Sequence, residues 1–110
     1  MKIKIERYGI YFANLNPTLG SEINKIRPVV VISQEEMNLF SDTIVVCPLT
    51  SKIHRQWRSR IQILCNGKNA EIAVDQIRTI SKIRIKKQID KLQSNTSIKL
   101  RNLIVEMYGE

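Results

Sequence analysis

Three polar groupings carry side chains whose types and spacing could do chemistry. In "GSEINKIRPVVVIS", residues 20–33, Ser21, Glu22, Lys25 and Arg27 directly precede an apolar run. A carboxylate can take up a proton, and a guanidinium offers a planar fork of donors that matches phosphate oxygens. In "PLTSK", the Thr50 hydroxyl lies just past a strand-like run and its proline. In "DQIRTI", Asp75, Gln76 and Arg78 interrupt an apolar segment. There an amide suits base edges and a guanidinium suits phosphate. Between residues 43 and 70 the chain has no acidic residue, yet it carries Lys52, Arg55, Arg58, Arg60 and Lys68, with Trp57 among them. A cationic segment bearing an aromatic ring suits single-stranded nucleic acid, whose bases stack and whose phosphates pair with cations.

Each grouping also has a plain structural reading. Glu22 and Arg27 could be ordinary surface charges of a hairpin loop made pliable by Gly20 and Ser21. Thr50 could be a turn residue, and the polar residues of "DQIRTI" could lie on an exposed strand face. A second basic cluster, Lys82, Arg84, Lys86, Lys87 and Lys91, either extends a groove or is a solvated strand face. His54 is the only histidine. Histidine is a common acid or base, but no orienting partner for it is evident in the sequence. Substrate contact or simple exposure is therefore the reading taken for it.

The elements that must position these residues are mostly strands. "IYFANL", residues 10–15, alternates, with Ile10, Phe12 and Leu15 as candidates for one face. "PVVVIS", residues 28–33, is continuously apolar and β-branched, as in a strand buried on both faces. "DTIVVCPL", residues 42–49, is a further strand that Pro48 should end or mark as an edge. "SRIQILC", residues 59–65, alternates at Ile61 and Ile63. "EIAVDQIRTI", residues 71–80, reads as a strand broken near Asp75. Turn signals "NPTLGS" and "NGKN" separate the runs. Ser33 followed by Glu36 gives a capping-box pattern for a short helix over 34–40. The spacing of Leu100, Leu103, Ile104 and Met107 predicts a C-terminal helix, capped by Ser94 or Asn95 and closed at Gly109. Many short strands and one terminal helix predict a small, strongly curved antiparallel sheet or barrel.

The chain has 110 residues and 43% hydrophobic content, which suits one domain over 1–110 with a single core. Its formal charge of +8 argues for a polyanionic partner. No run reaches the roughly 18 apolar residues of a membrane span. The opening "MKIKIERYGIYF" lacks a signal-peptide apolar block, so a cytoplasmic location is expected. Cys47 and Cys65 read as buried thiols rather than a disulfide. With His54 they match no zinc pattern, so neither metal nor cofactor is expected.

Taken in order and at these separations, "GSEINKIRPVVVIS", "PLTSK" and "DQIRTI" resemble the MazF/PemK (Kid) family of toxin endoribonucleases. "YGIYFANLNPTLGSE" looks like that family's first strand and loop. The resemblance runs from about Tyr8 to Lys87. It implies an SH3-like barrel, mainly β with a C-terminal helix, assembled as a homodimer. The implied activity is metal-independent cleavage of single-stranded RNA, chiefly mRNA, at a short recognition sequence, leaving a 2′,3′-cyclic phosphate and a 5′-hydroxyl. The implied second partner is an antitoxin whose acidic, partly disordered tail binds the same cleft. The family's catalytic arginine falls on Arg27, its catalytic threonine on Thr50 and its loop glutamate on Glu22. Its loop serine falls on Ser21 and its strand glutamine on Gln76. RNA contacts are expected from Ser21, Lys25, Lys52, His54, Arg55, Trp57, Arg58, Gln76 and Arg78. The family often has an acidic residue where Ile10 stands, and arginine or threonine near Asn24 and Ile26. These departures bear on the preferred RNA sequence. The rival readings are a gyrase poison of the CcdB type and a non-catalytic RNA-binding barrel. The former shares the fold but uses a tryptophan-glycine-isoleucine ending where this chain has "MYGE". A membrane-surface protein is disfavoured, because no basic amphipathic helix is evident.

Overall fold

The computed structural model describes residues 4–15 and 26–109. Ser21, Glu22, Lys25 and the "NPTLGS" turn lie outside the described residues. The described residues form seven strands, β1 (Gly9–Asn14), β2 (Ile26–Val31), β3 (Thr43–Thr50), β4 (Arg60–Cys65), β5 (Lys68–Ala73), β6 (Arg78–Ser81) and β7 (Ile85–Lys91), with helix α1 (Glu35–Phe40) between β2 and β3 and helix α2 (Ser94–Tyr108) after β7. They form one antiparallel sheet in the order β4-β5-β3-β2-β1-β7, with β6 added alongside β3. The pairing of β1 with β7 shifts register between Ile10 and Tyr11 and again before Ala13. Such irregularities bend a sheet and raise its twist. The mainly β architecture with a terminal helix agrees with the expected class.

The apolar run of β2 explains the layering. Val30 joins Ile10, Cys47, Leu49, Ile72 and Leu100 in one buried cluster, while Val29 and Val31 join Tyr11, Ala13, Ile44, Val46 and Ile80 in another. Successive strand side chains point to opposite faces, so a strand covered on both sides needs apolar residues throughout. The same logic corrects β1: Tyr11 and Ala13 are buried with Ile10, whereas Phe12 is 36% exposed. Helix α2 covers the first cluster with Leu100, against which Leu103, Ile104 and Met107 also pack.

Strand β3 is the hub. It pairs with β6 through Val46, with β2 through Val46–Pro48 and with β5 from Leu49. Against the expectation from sequence, Pro48 neither ends the strand nor marks an edge: β3 runs on to Thr50 and lies inside the sheet. Proline sits in the gap between the β6 and β5 ladders, where a missing N–H donor is least needed. The break near Asp75 is a 3-10 turn, Val74–Gln76. The "NGKN" turn closes the β4–β5 hairpin, with Asn66 at φ 52° and Gly67 at φ 81°, the left-handed pair that a two-residue hairpin turn requires.

Both helix caps differ from expectation. Helix α1 has Gln34 at its N-cap. Ser33 instead donates through Oγ to Asn38 Oδ1 at 2.6 Å, and Asn38 Nδ2 returns to the Ser33 carbonyl at 3.0 Å, closing the turn from inside. In α2 the N-cap is Gln93, and Ser94 is already helical. Gly109 does take the C-cap position, but at φ −83°, so it is not a left-handed cap.

Candidate active site

The strand order brings residues far apart in sequence to one cleft of about 700 Å3, lined by Leu15, Arg27, Pro48, Leu49, Thr50, Lys52, His54, Arg60, Ala73, Gln76 and Arg78. Arg27 enters from β2, opposite Ala13 of β1. Further along the same strand Val29 and Val30 are fully buried, so a strand anchored in the core carries the exposed Arg27 at the cleft. Thr50 is the last residue of β3. Its Oγ1 accepts from the Lys52 N–H at 3.1 Å. That bond uses one lone pair and leaves the O–H free to donate. Gln76 ends the 3-10 turn and Arg78 opens β6.

One wall of the cleft rests on a buried charge network. Glu71 of β5 is fully buried. Its Oε1 accepts from the His54 backbone N–H at 2.8 Å and from Gln62 Nε2 at 3.0 Å. Its Oε2 accepts from Arg60 Nη1 at 2.6 Å and lies 2.9 Å from His54 Nδ1. Burial pushes the Glu71 carboxyl up, but these four donors outweigh it and hold the pKa at about 2. Arg60 is almost fully enclosed and extends the network. Its Nε donates to Asp75 Oδ1 at 2.8 Å. That hydrogen bond is the main reason Asp75 is held below the usual carboxylate range, against the upward push of burial. Since Asp75 precedes Gln76, the Arg60 fork fixes the turn that presents the amide. The indole of Trp57 stacks on the His54 ring, with centroids 4.0 Å apart and planes at 19°. The Arg60 guanidinium lies 4.6 Å from the centre of the Trp57 ring.

Of the residues singled out from the sequence, Arg27, Thr50, Lys52, His54, Gln76 and Arg78 share this cleft. Arg55, Trp57 and Arg58 do not line it. Trp57 backs His54, and Arg58 pairs with Glu106 of α2 at the surface. None of Lys82, Arg84, Lys86, Lys87 and Lys91 lines it either, and Lys91 pairs with Glu6 at 3.0 Å. The expectation that His54 has no orienting partner is corrected by Glu71, 17 positions away in sequence. Glu71 is not among the residues the sequence singled out, and Arg60, named there only as one cation of the basic segment, proves to be a buried partner of Glu71 and Asp75. Cys47 and Cys65 are free and buried, and burial pushes the Cys47 thiol up to about 12, which leaves it inert. Among the described residues no cluster of three or more His, Cys, Asp or Glu side chains is placed to hold a metal ion. None of their helices is long and apolar enough to cross a membrane.

Comparison with known proteins follows the same lines. Residues 6–108 match the family model described as PemK-like, MazF-like toxin of type II toxin-antitoxin system. An endoribonuclease MazF of Staphylococcus saprophyticus is 31% identical over 105 residues, covering 91% of this chain and 88% of the relative. The crystal structure of MazF from Deinococcus radiodurans superposes with a TM-score of 0.82 at 18% identity, covering 99% of this chain and 100% of that one. A MazE-MazF crystal structure from the same organism gives 0.82 at 17% identity, over 97% and 98% of the two chains.

Proposed function

The chain belongs to the family of PemK-like, MazF-like toxins of type II toxin-antitoxin systems, and from that membership we propose that it is a sequence-specific, metal-independent endoribonuclease. Its substrate is single-stranded RNA, chiefly mRNA in the cytoplasm, and cutting it inhibits translation and growth. One observation carries this reading beyond membership. Arg27 and Thr50, from different strands, line a single cleft with Lys52, Gln76 and Arg78. That set offers three cations, a hydroxyl and an amide.

The chemistry suits those groups. The 2′-oxygen attacks the adjacent phosphorus, the bond to the 5′-oxygen breaks, and a 2′,3′-cyclic phosphate and a 5′-hydroxyl result. The transition state carries extra negative charge on its equatorial oxygens. Arg27 meets those oxygens with preorganised donors, each worth about 3–4 kcal/mol in comparable sites. Thr50 adds a hydroxyl donor that fixes the phosphate. Glu22, outside the described residues, is the proposed general base for the 2′-hydroxyl. A glutamate has a reference pKa of about 4.3 and is ionised at neutral pH. Gln76 and Arg78 extend the contact to neighbouring bases and phosphates, with Ser21 and Lys25, outside the described residues, proposed to contribute as well.

The antitoxin belongs to the same reading. A structural neighbour is solved as a MazE-MazF pair, and a cationic cleft suits an acidic, partly disordered tail as well as RNA. The functional unit is a homodimer. The test is incubation of the protein with a long single-stranded RNA in EDTA, with mapping of every cut end. Discrete cuts with 5′-hydroxyl ends are expected. Intact RNA in the presence of folded protein, or ends carrying a 5′-phosphate, contradicts the reading.

A further inference from the structure

Cleavage of this kind needs two proton transfers. One proton leaves the 2′-hydroxyl and one arrives at the departing 5′-oxygen. Among the described residues that line the cleft, almost none can supply the second. Arginine and lysine hold their protons too tightly near neutral pH, and threonine and glutamine do not titrate there. His54 alone has a side chain of the right type, the imidazole that most often serves as acid or base.

The surroundings of His54 are built as a general acid requires. Glu71 is ionised, and a carboxylate can only accept. Its Oε2 lies 2.9 Å from His54 Nδ1, so the proton sits on Nδ1 and Nε2 is the reactive nitrogen. The same carboxylate takes the backbone N–H of His54 at 2.8 Å, fixing ring and chain together. Trp57 stacks on the ring, which fixes its plane. The Arg60 guanidinium is also close, with Nη1 3.1 Å from Nδ1, but Glu71 and Asp75 both pair with it. A carboxylate that orients a histidine and faces the charge moving through it is a recurring device of proton-transfer sites.

Resting on the nuclease reading above, we propose that His54 is the general acid of the cleft and Glu71 its positioning residue. As the bond from the 2′-oxygen to phosphorus forms, the 2′-hydroxyl proton passes to the general base. The bond between phosphorus and the 5′-oxygen breaks, its electron pair stays on that oxygen, and His54, entering the step as imidazolium with both nitrogens protonated, gives its Nε2 proton to that oxygen and keeps the Nδ1 proton that faces Glu71. Neutral His54 then regains a proton from water.

The test compares two RNAs spanning a mapped cleavage site, one ordinary and one with sulfur in place of the departing 5′-oxygen. A thiolate leaves without being protonated. Under single-turnover conditions His54→Gln is expected to cut ordinary RNA about 10²–10³-fold more slowly than wild type, yet to cut the sulfur-bridged RNA at the wild-type rate. An equal loss on both, in a variant with a wild-type melting curve, overturns the assignment and leaves His54 a binding residue. If His54→Gln loses its cooperative melt, His54→Asn is read in the same way. Wild-type protein that cuts neither RNA instead overturns the nuclease reading itself, and the acid role with it.

Discussion

Glu71 accepts four hydrogen bonds on two oxygens with no exposure to solvent, which makes it the residue with most to lose. Glu71→Gln removes the charge that balances Arg60 in the interior. Breaking a buried pair from one side destabilises by about 3–5 kcal/mol, so a large drop in the denaturation midpoint is expected; an unchanged midpoint would show that the network is not structural. Acid titration reads the same group. Its folded pKa of about 2 lies below the ordinary 4.5, so its contribution is complete above about pH 4.5 and is lost as pH falls toward 2. Asp75 is shifted in the same direction and steepens the loss. The Glu71 pairing was partly legible in the sequence. An Asn-Gly turn that pairs Cys65 with Lys68 sets Gln62 opposite Glu71, and Arg60 shares a face with Gln62. What no register gives is His54, which arrives through a loop whose path depends on the carboxylate it meets.

At the scale of elements, the site exists because β3 changes partners along its length. Its first half is held by β6, its middle by β2, and its end by β5, so Arg27 of β2 and Arg78 of β6 approach Thr50 of β3 from the two strands that flank it. The β-branched runs, the break at Asp75 and the periodicity of α2 were all legible, since each follows from burial on known faces. The end of the strand at Pro48 and the Ser33 cap were misread, because the gap between ladders and the Ser33–Asn38 lock are set by tertiary neighbours. Helix α2 also steadies the cleft from behind. Leu100 is fully buried in the cluster beneath it, and the Tyr108 hydroxyl donates to the Val74 carbonyl at 2.9 Å, at the start of the turn that carries Gln76. Leu100→Ala should cost about 2–5 kcal/mol and lower Tm by on the order of 10 °C or more. A shift of only a degree or two would mean that α2 is not docked as described.

For the whole molecule, a charge of +8 and a cleft lined by Arg27, Lys52 and Arg78 make RNA affinity a function of ionic strength. With three cleft cations meeting phosphates, log affinity should fall with log salt at a slope of about −2, or roughly 20-fold between 50 and 200 mM salt. A slope near zero, measured by fluorescence anisotropy on a short single-stranded RNA, would argue against phosphate recognition in the cleft. The sign of the partner was legible from composition alone. Which of the many cations form the cleft was legible in part: Arg27, Lys52 and Arg78 line it as expected, whereas Arg55 and Arg58 do not, and Arg58 is drawn off into a pair with Glu106.

Stabilisation of a transition state, beyond the mere holding of RNA, is what the proposed roles of Arg27 and Thr50 require of this cleft. It is tested most directly by measuring single-turnover cleavage and RNA affinity side by side for the wild-type protein and Arg27→Ala. Cleavage is expected to fall by about 10²–10³-fold while the dissociation constant rises far less. Cleavage unchanged by the substitution, or reduced only in proportion to lost binding, would contradict it.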